Sequence, residues 1–210
     1  MVRVLIADDF PLFRRGVKDM LSEGLGEVQY GEAGDATELC AKVEADAWDI
    51  VVMDITMPGT TGTEALRQVK QARPTLPVIV LSMHPEDQYA VRMFKAGADG
   101  YLNKASTPQE LVSAVKQVLG GGQYVSPGIA ERLATPARAR LTENLHELLS
   151  DREYEVFRLI ASGKTVSEVA ESLKLSVTTV STYRARILDK MQLKNNAELT
   201  RYALERHLVN

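Results

Sequence analysis

The segment VVMDITMPG, residues 51–59, joins an apolar run to a carboxylate and then to a Pro-Gly pair. The apolar residues predict a buried strand, and the Pro-Gly pair predicts a turn directly after it. Asp54 therefore stands where a buried strand ends. A carboxylate in that place is either a turn residue or a reactive group, and the choice depends on which other side chains reach the same place.

The same pattern of apolar run and helical stretch repeats through residues 1–121. The apolar runs predict strands at Val2–Ala7, Val28–Glu32, Ile50–Met53, Val78–Leu81 and Gly100–Leu102. Helical periodicity predicts helices near 11–23, 36–45, 63–73, 86–96 and 108–119. Such repeats predict an α/β domain in which a five-stranded parallel sheet is covered by helices on both faces.

The C-terminal part of the sequence predicts a smaller all-α domain over residues 148–210. Capping-box sequences begin helices after Ser150 and Thr165, and Ser176 is a third N-cap. We expect helices near 151–162, 166–173, 177–191 and 196–207. Residues 122–147 are predicted to be a linker that contains a short helix within the segment GIAERLA.

Charge divides along the chain in the same way. The net charge is -3, but residues 1–121 carry 12 Lys and Arg against 17 Asp and Glu, whereas the remainder carries 13 against 11. This asymmetry suggests two functions, although a small basic excess alone does not establish nucleic-acid binding. The single Cys40 excludes an internal disulfide, no run of about 18 apolar residues predicts a membrane span, and the segment MVRVLIADD lacks a signal-peptide pattern. We therefore expect a cytoplasmic protein.

Polar side chains collect at the predicted carboxyl ends of the strands, where open parallel sheets bind ligands. These residues are Asp8, Asp9, Asp54, Ser82 and Lys104. Each alone is an ordinary turn or surface residue. Together they place three carboxylates at one edge of the sheet, where they repel one another unless a cation lies among them. Carboxylate oxygens suit Mg²⁺, which is the cofactor we expect.

The motifs ADD, MDITMPG, VLSMH and GYLNK resemble the flavodoxin-like receiver domain of two-component response regulators. The resemblance implies that Asp54 accepts a phosphoryl group from a sensor histidine kinase. It implies that Asp9, Asp54 and the Thr56 main-chain carbonyl ligate Mg²⁺. Asp8 would act through water, and Lys104 would neutralise the phosphoryl oxygens.

The resemblance also implies a switch inside the domain. Ser82 would donate a hydrogen bond to the phosphoryl group, and this shift would draw Tyr101 inward. The face formed by the fourth helix, the fifth strand and the fifth helix would then be remodelled. For Tyr101, a position as an amphipathic ring at the sheet edge is an alternative that is compatible with this role.

The segment from Leu149 onward, LSDREYEVFRLIASGKTVSEVAESLKLSVTTVSTYRARILDKMQLKN, resembles the LuxR-type helix-turn-helix domain, so that the whole chain resembles NarL/FixJ-type response regulators. On a helical wheel of 177–191 the apolar residues cluster on one side: Val177, Val180, Ile187, Leu188 and Met191. The predicted DNA-binding residues are Thr178, Thr179, Ser181, Thr182, Ala185, Arg186 and Lys190. Family base-reading positions correspond to Ser181, Thr182 and Ala185, and we expect Arg184 to pair with Glu168 or Glu171.

The sequence thus predicts a transcription factor whose binding to double-stranded DNA is controlled by phosphorylation of Asp54, with an active homodimer and no membrane partner. Paired half-sites favour the dimer, because one small helix-turn-helix makes few base contacts. The rival is an enzyme with an aspartyl-phosphate intermediate, but Thr56 stands where such an enzyme would have a second acid. RNA binding is a third possibility, although the tail has no aromatic stacking platform. We expect a regulator and not an enzyme.

Overall fold

The computed structural model describes residues 1–58, 60–83, 86–134 and 145–209. The chain divides into two compact units, Met1–Ala134 and Thr135–Asn210. Part of the predicted linker, 135–144, lies outside the described residues, and its predicted bounds at 122 and 147 remain a prediction. In the part of the chain that is described, no helix is both long and apolar enough to cross a membrane.

The first unit contains a five-stranded parallel sheet with the strand order β2-β1-β3-β4-β5. Its strands are β1 Val2–Ala7, β2 Val28–Ala33, β3 Ile50–Asp54, β4 Val78–Ser82 and β5 Gly100–Asn103. The α/β prediction is confirmed, and β2 to β5 each continue one residue further than predicted. Because of this extension, Asp54 and Ser82 are themselves the last residues of their strands.

Helices join the strands in strict alternation. They are α1 Pro11–Leu25, α2 Ala36–Ala45, α3 Gly62–Ala72, α4 Glu86–Ala96 and α5 Pro108–Leu119. Three of them begin at side chains that cap a backbone N–H, namely Asp35, Thr61 and Thr107. Thr107 and Glu110 form the predicted capping box, in which each residue satisfies the other's backbone N–H.

The sheet is apolar on both faces because helices cover both. Val4 and Val52 point to the face that carries α1 and α5, where they pack with Leu21 and Val115. Their neighbours in sequence point to the opposite face and are equally buried, as Leu5 illustrates. Burial of apolar area on both faces is the main stabilising contribution, at about 25 cal/mol per Å².

After α5 the chain returns to the free edge of β5. The Tyr124 N–H donates to the Asp99 carbonyl at 2.8 Å, and Tyr124 forms a parallel bridge with Gly100. The helix α6, Pro127–Ala134, then packs against α4 with Ile129 buried. The predicted short helix within GIAERLA is therefore confirmed, and it belongs to the first unit.

Over residues 145–209 the second unit contains a 3₁₀ turn at Leu145–Leu148, which was not predicted, and the four predicted helices. The helices are α7 Asp151–Ala161, α8 Val166–Leu173, α9 Val177–Lys190 and α10 Asn196–Glu205. Both predicted capping boxes are present, and the Ser176 hydroxyl caps α9. The core of this unit is formed by Tyr154, Phe157, Val169, Val180, Ile187, Met191, Leu199 and Ala203.

Candidate functional site

Three carboxylates meet at the carboxyl edge of the sheet, where β1 and β3 lie side by side. Asp8 and Asp9 follow β1, and Asp54 ends β3. One oxygen of each lies within 4.8 Å of an oxygen of the others. Asp8 and Asp54 are buried, with 1% and 3% of their surface exposed. The residues predicted to form an acidic site are therefore brought together.

Lys104, in the loop after β5, places its ammonium group among these carboxylates. Its Nζ lies 2.6 Å from Asp8 Oδ2 and 2.8 Å from Asp54 Oδ2. The Phe13 ring lies under the same ammonium, 4.4 Å from Nζ to the ring centroid. Only 7% of the Lys104 side chain is exposed. The cation is therefore held by two carboxylates and one aromatic face, in a place that water hardly reaches.

Burial and the neighbouring charges have opposite effects on the pKa values of Asp54 and Lys104. Burial raises the pKa of Asp54, although the Lys104 ammonium and the Thr56 N–H partly offset the increase. Burial lowers the pKa of Lys104, but the contacts with Asp54 and Asp8 outweigh it, so that this pKa lies above its ordinary value. Lys104 is thus kept protonated beside the carboxylates.

The donor set fits a divalent cation. Asp9 Oδ1 is buried and has no hydrogen-bond partner among the described residues, and Asp8 Oδ2 has an ion pair with Lys104 but no hydrogen bond. When ionised, the three carboxylates carry two more negative charges than Lys104 compensates. Hard oxygen ligands and an uncompensated double charge suit Mg²⁺, which carries two positive charges.

The remaining predicted residues of this edge lie around Asp54. The Thr56 N–H donates to Asp54 Oδ1 at 3.1 Å, while the role of the Thr56 carbonyl as a metal ligand stays a prediction. Ser82 is fully buried and shares a hydrogen bond with the Tyr101 side chain, and burial raises the pKa of Tyr101 far above its ordinary value. Tyr101 is only 2% exposed, so the ring points inward in this structure.

Two residues of α1 that contact the site were not identified from the sequence. The Phe13 ring faces Lys104, and Arg14 Nη1 donates to the Asp8 main-chain carbonyl at 2.6 Å. The sequence signal for these contacts was the place of both residues in the first turn of a helix that begins two residues after Asp9. Helical periodicity indicates that such residues face the sheet, but it does not indicate which atoms they contact.

In the second unit, the predicted DNA-binding residues of α9 are mostly solvent-exposed. The exposed ones are Thr178, Ser181, Thr182, Ala185, Arg186 and Lys190. Thr179 is half-buried, and its N–H donates to the Ser176 hydroxyl at 3.0 Å, so it belongs to the cap of α9. The exposed set consists mainly of small and polar side chains, which permits close approach to the edges of base pairs.

Two expectations for this helix need correction. Val177 was predicted on the packing side, but 51% of it is exposed, because α9 begins there and its first turn extends beyond the core. Arg184 was expected to pair with Glu168 or Glu171, but its Nε donates to Asn196 Oδ1 at 2.6 Å. The helix is rotated so that Arg184 faces the start of α10 and not α8.

Lys190 was predicted to contact DNA phosphates, and this contact stays a prediction. Its Nζ lies 2.6 Å from Glu153 Oε2, and 4% of the Glu153 side chain is exposed. A phosphate contact by Lys190 would leave a buried carboxylate without its cation, which is costly. Lys190 therefore has a structural contact within the unit, and the phosphate contacts of Lys190 and Arg186 both stay predictions.

Comparison with known protein families matches both units. The family model described as "Response regulator receiver domain" matches residues 4–116, and the model described as "Bacterial regulatory proteins, luxR family" matches residues 147–203. The first match includes the acidic site, the second includes α9, and together they cover most of the chain.

Similar proteins cover the whole chain. Response regulator UvrY of Escherichia coli K12 is 35% identical over 211 residues, which are 100% of this chain and 97% of the relative. Response regulator GacA of Pseudomonas aeruginosa is 35% identical over 212 residues, covering 100% and 99%. Among solved structures, RcsB from Salmonella enterica serovar Typhimurium bound to promoter rprA with phosphomimetic BeF3- is 26% identical, with a TM-score of 0.65 over 96% of this chain and 98% of that chain.

Proposed function

This chain belongs to the two-component response regulators that join a receiver domain to a LuxR-type DNA-binding domain, and on this premise we propose that it is a transcription factor controlled by phosphorylation of Asp54. The observation that carries the proposal is the ion pair of Lys104 with Asp54 beside Asp8 and Asp9. The phosphodonor is a sensor histidine kinase, and the output is binding to double-stranded DNA in the cytoplasm.

Phosphoryl transfer needs positioning and charge neutralisation more than covalent assistance. A carboxylate oxygen of Asp54 forms a bond to phosphorus, the P–N bond of the donor phosphohistidine breaks, and its electron pair returns to the imidazole nitrogen. Lys104 neutralises the negative charge on the transferring oxygens, and the Thr56 N–H holds the carboxylate in place. Low exposure makes these electrostatic contacts strong.

Magnesium is the proposed cofactor, held by the carboxylates of Asp9 and Asp54 and the Thr56 carbonyl, with Asp8 acting through water. When bound, the ion supplies neutralisation of phosphoryl oxygens. The buried Asp9 Oδ1 and the charge excess of the acidic cluster support this assignment. The protein residues orient the acceptor carboxylate and exclude bulk water from it.

The output is proposed to be DNA binding by a homodimer through α9. The contact between Ser82 and Tyr101 joins the acceptor site to the face formed by α4, β5 and α5. A phosphoryl group that accepts a hydrogen bond from the Ser82 hydroxyl changes this contact, and the change favours self-association through the face. The similar RcsB structure is bound to a promoter, and we propose the same class of ligand for this chain.

A phosphatase with an aspartyl intermediate is the alternative, and two observations disfavour it. Both matching family models describe regulators. The exposed Thr56 stands two residues after Asp54, where a second acid would be needed for general acid-base catalysis. Turnover of small phosphate esters by the purified protein would favour the enzyme.

The test combines labelling with DNA binding. The full-length protein and Asp54→Asn are incubated with a small phosphodonor and Mg²⁺, and their masses and affinities for duplex DNA are measured. We expect one added phosphoryl group and tighter DNA binding in the parent, and neither change in Asp54→Asn. Undiminished labelling of Asp54→Asn would overturn the assignment of Asp54, and labelling without any change in DNA binding would overturn the regulatory role.

A further inference from the structure

Arg14 makes two directed hydrogen bonds that link β2 to the acidic site. Its Nη1 donates to the Asp8 carbonyl oxygen at 2.6 Å, and its Nε donates to Glu32 Oε2 at 2.7 Å. The Arg14 side chain is only 15% exposed. The planar guanidinium has its donors in fixed directions, so these two bonds together determine its position and orientation.

The Asp8 carbonyl belongs to the peptide that carries Asp9. The Asp8 N–H donates to the Ala33 carbonyl at 3.0 Å, and Asp8 Oδ1 accepts from the Phe10 N–H at 2.9 Å. Asp8 follows the last residue of β1, and its carbonyl accepts the hydrogen bond from Arg14. Because a peptide unit is planar, the atom that fixes this oxygen also fixes the Asp9 nitrogen and the direction in which Asp9 leaves the strand.

The orientation of Asp9 depends on this peptide. Asp9 Oδ1 is buried and has no hydrogen-bond partner within the described residues. The direction of the carboxylate is therefore set by the backbone. For Asp8 the backbone has the same effect, since the Phe10 N–H engages one oxygen and leaves the other to the cluster. The Asp9 carboxylate therefore takes its direction from the peptide that Arg14 holds, whereas the Asp8 carboxylate is fixed by the next peptide, through the Phe10 N–H.

Glu32 keeps Arg14 in place. Its other oxygen, Oε1, accepts from Lys18 Nζ at 2.5 Å. Hydrogen bonds from Arg14 and from Lys18 lower the pKa of Glu32 below its ordinary value. The anchor is thus a charged carboxylate between two cations, and Lys42 also donates to the main-chain carbonyl of Glu32.

We propose that Arg14 is a positioning residue for the cation site: through the Asp8–Asp9 peptide it sets the direction of the Asp9 carboxylate and thereby the affinity for the divalent ion. The proposal rests on the proposed function for the identity of that ion. Residues behind the ligands often change metal affinity about 10- to 100-fold when they are replaced.

The test uses Mn²⁺ as the probe, measured by electron paramagnetic resonance on full-length protein without a phosphodonor. Arg14→Met keeps a long side chain but removes both hydrogen bonds, and we expect about 10- to 100-fold weaker Mn²⁺ binding. Arg14→Lys can make one of the two bonds, so a smaller loss is expected. Arg15→Met removes the same charge from an exposed neighbouring position and should leave the affinity unchanged.

A second variant tests the proposal independently, in case Arg14→Met does not fold. Glu32→Gln keeps the length and one acceptor oxygen but loses the anchoring charge, so it should weaken Mn²⁺ binding in the same direction as Arg14→Met. Parent-like affinity in both variants would overturn the proposal. Labelling by a phosphodonor is measured on the same preparations. A parent protein that binds Mn²⁺ but accepts no phosphoryl group would overturn the proposed function and leave the role of Arg14 standing.

Discussion

Lys104 Nζ donates to Asp54 Oδ2 at 2.8 Å, although the two residues are 50 positions apart in sequence. The pair joins the end of β3 to the loop after β5, across the intervening strand β4. Since Asp8 shares the same ammonium at 2.6 Å, Lys104 both compensates the acidic cluster and lies beside the proposed phosphoacceptor. Its removal should therefore slow phosphoryl transfer without weakening metal binding.

Lys104→Met should slow phosphorylation by a small phosphodonor about 10²- to 10³-fold, because a group that stabilises developing charge is lost. Mn²⁺ binding should be equal or tighter, because the carboxylates lose a competing cation. Rates followed by mass and affinities followed by electron paramagnetic resonance check both effects. Lys116→Met, at an exposed position of α5, is the control for loss of one charge. Loss of both functions together would contradict this separation.

Phosphorylation should raise the dimer population, and Ser82→Ala or Tyr101→Phe should weaken this response while Asp54 is still labelled. The reason is that the Ser82–Tyr101 hydrogen bond connects the acceptor edge to the face of β5. Sedimentation velocity at one protein concentration, with and without phosphodonor, measures the effect. Identical distributions for the parent in both conditions would show that this face does not respond to the phosphoryl group.

Changes at Thr182 and Ala185 should alter DNA sequence preference more than overall affinity, because both are exposed on the outer side of α9. Loss of one good base contact costs on the order of 1–3 kcal/mol at that base pair. Binding of a randomised duplex pool to Thr182→Val and Ala185→Ser is the measurement. Variants that fold and retain the parent's preference would mean that another element reads the bases.

Arg186→Ala should weaken binding to all sequences alike and make the salt dependence shallower by about one charge, because its expected partner is a phosphate. Affinities for one duplex at several salt concentrations give the slope. Arg15→Ala, which removes an exposed charge from the other unit, should leave the slope unchanged. A change in preference at a single base pair would identify Arg186 as a base-reading residue instead.

Lys190→Met should destabilise the second unit by about 1–3 kcal/mol, because it leaves the buried Glu153 carboxylate without its cation. Hydrogen-deuterium exchange of α7–α10 peptides in the full-length protein measures this, with the exposed Lys194→Met as the matched control. Equal exchange in the two variants would show that the ion pair does not stabilise the unit.

The same pair predicts a dependence on pH. Burial acts to raise the pKa of Glu153, but hydrogen bonds from Lys190 and Ser150 outweigh it and lower the pKa below 4.5. A carboxylate whose pKa is lower in the folded state stabilises that state at neutral pH, and this contribution is lost as the pH falls from about 4.5 through the lower folded value. The difference in exchange between parent and Glu153→Gln should therefore be largest near pH 7 and shrink below pH 4.5. A constant difference over this range would contradict the assignment.

Much of the fold follows from short-range sequence patterns. The alternation of apolar runs with capped helices predicted each strand and α-helix in the described part of the chain to within a few residues. The strand-end positions of Asp8, Asp54 and Lys104 predicted the acidic edge, because parallel strands bring their carboxyl ends to one side. These features depend on neighbours within about four residues and on the period of the backbone, which a sequence displays directly.

Pairing between distant side chains was decided by the tertiary structure. The contact of Arg14 with the Asp8 carbonyl, the pairing of Arg184 with Asn196 and that of Lys190 with Glu153 were not predicted. Each depends on the distance and rotation between packed elements, and a change of one ångström or of a few tens of degrees would exchange one partner for another. Helix periodicity gives the face on which a residue lies. Only the packing of that face against another element determines which atom it meets.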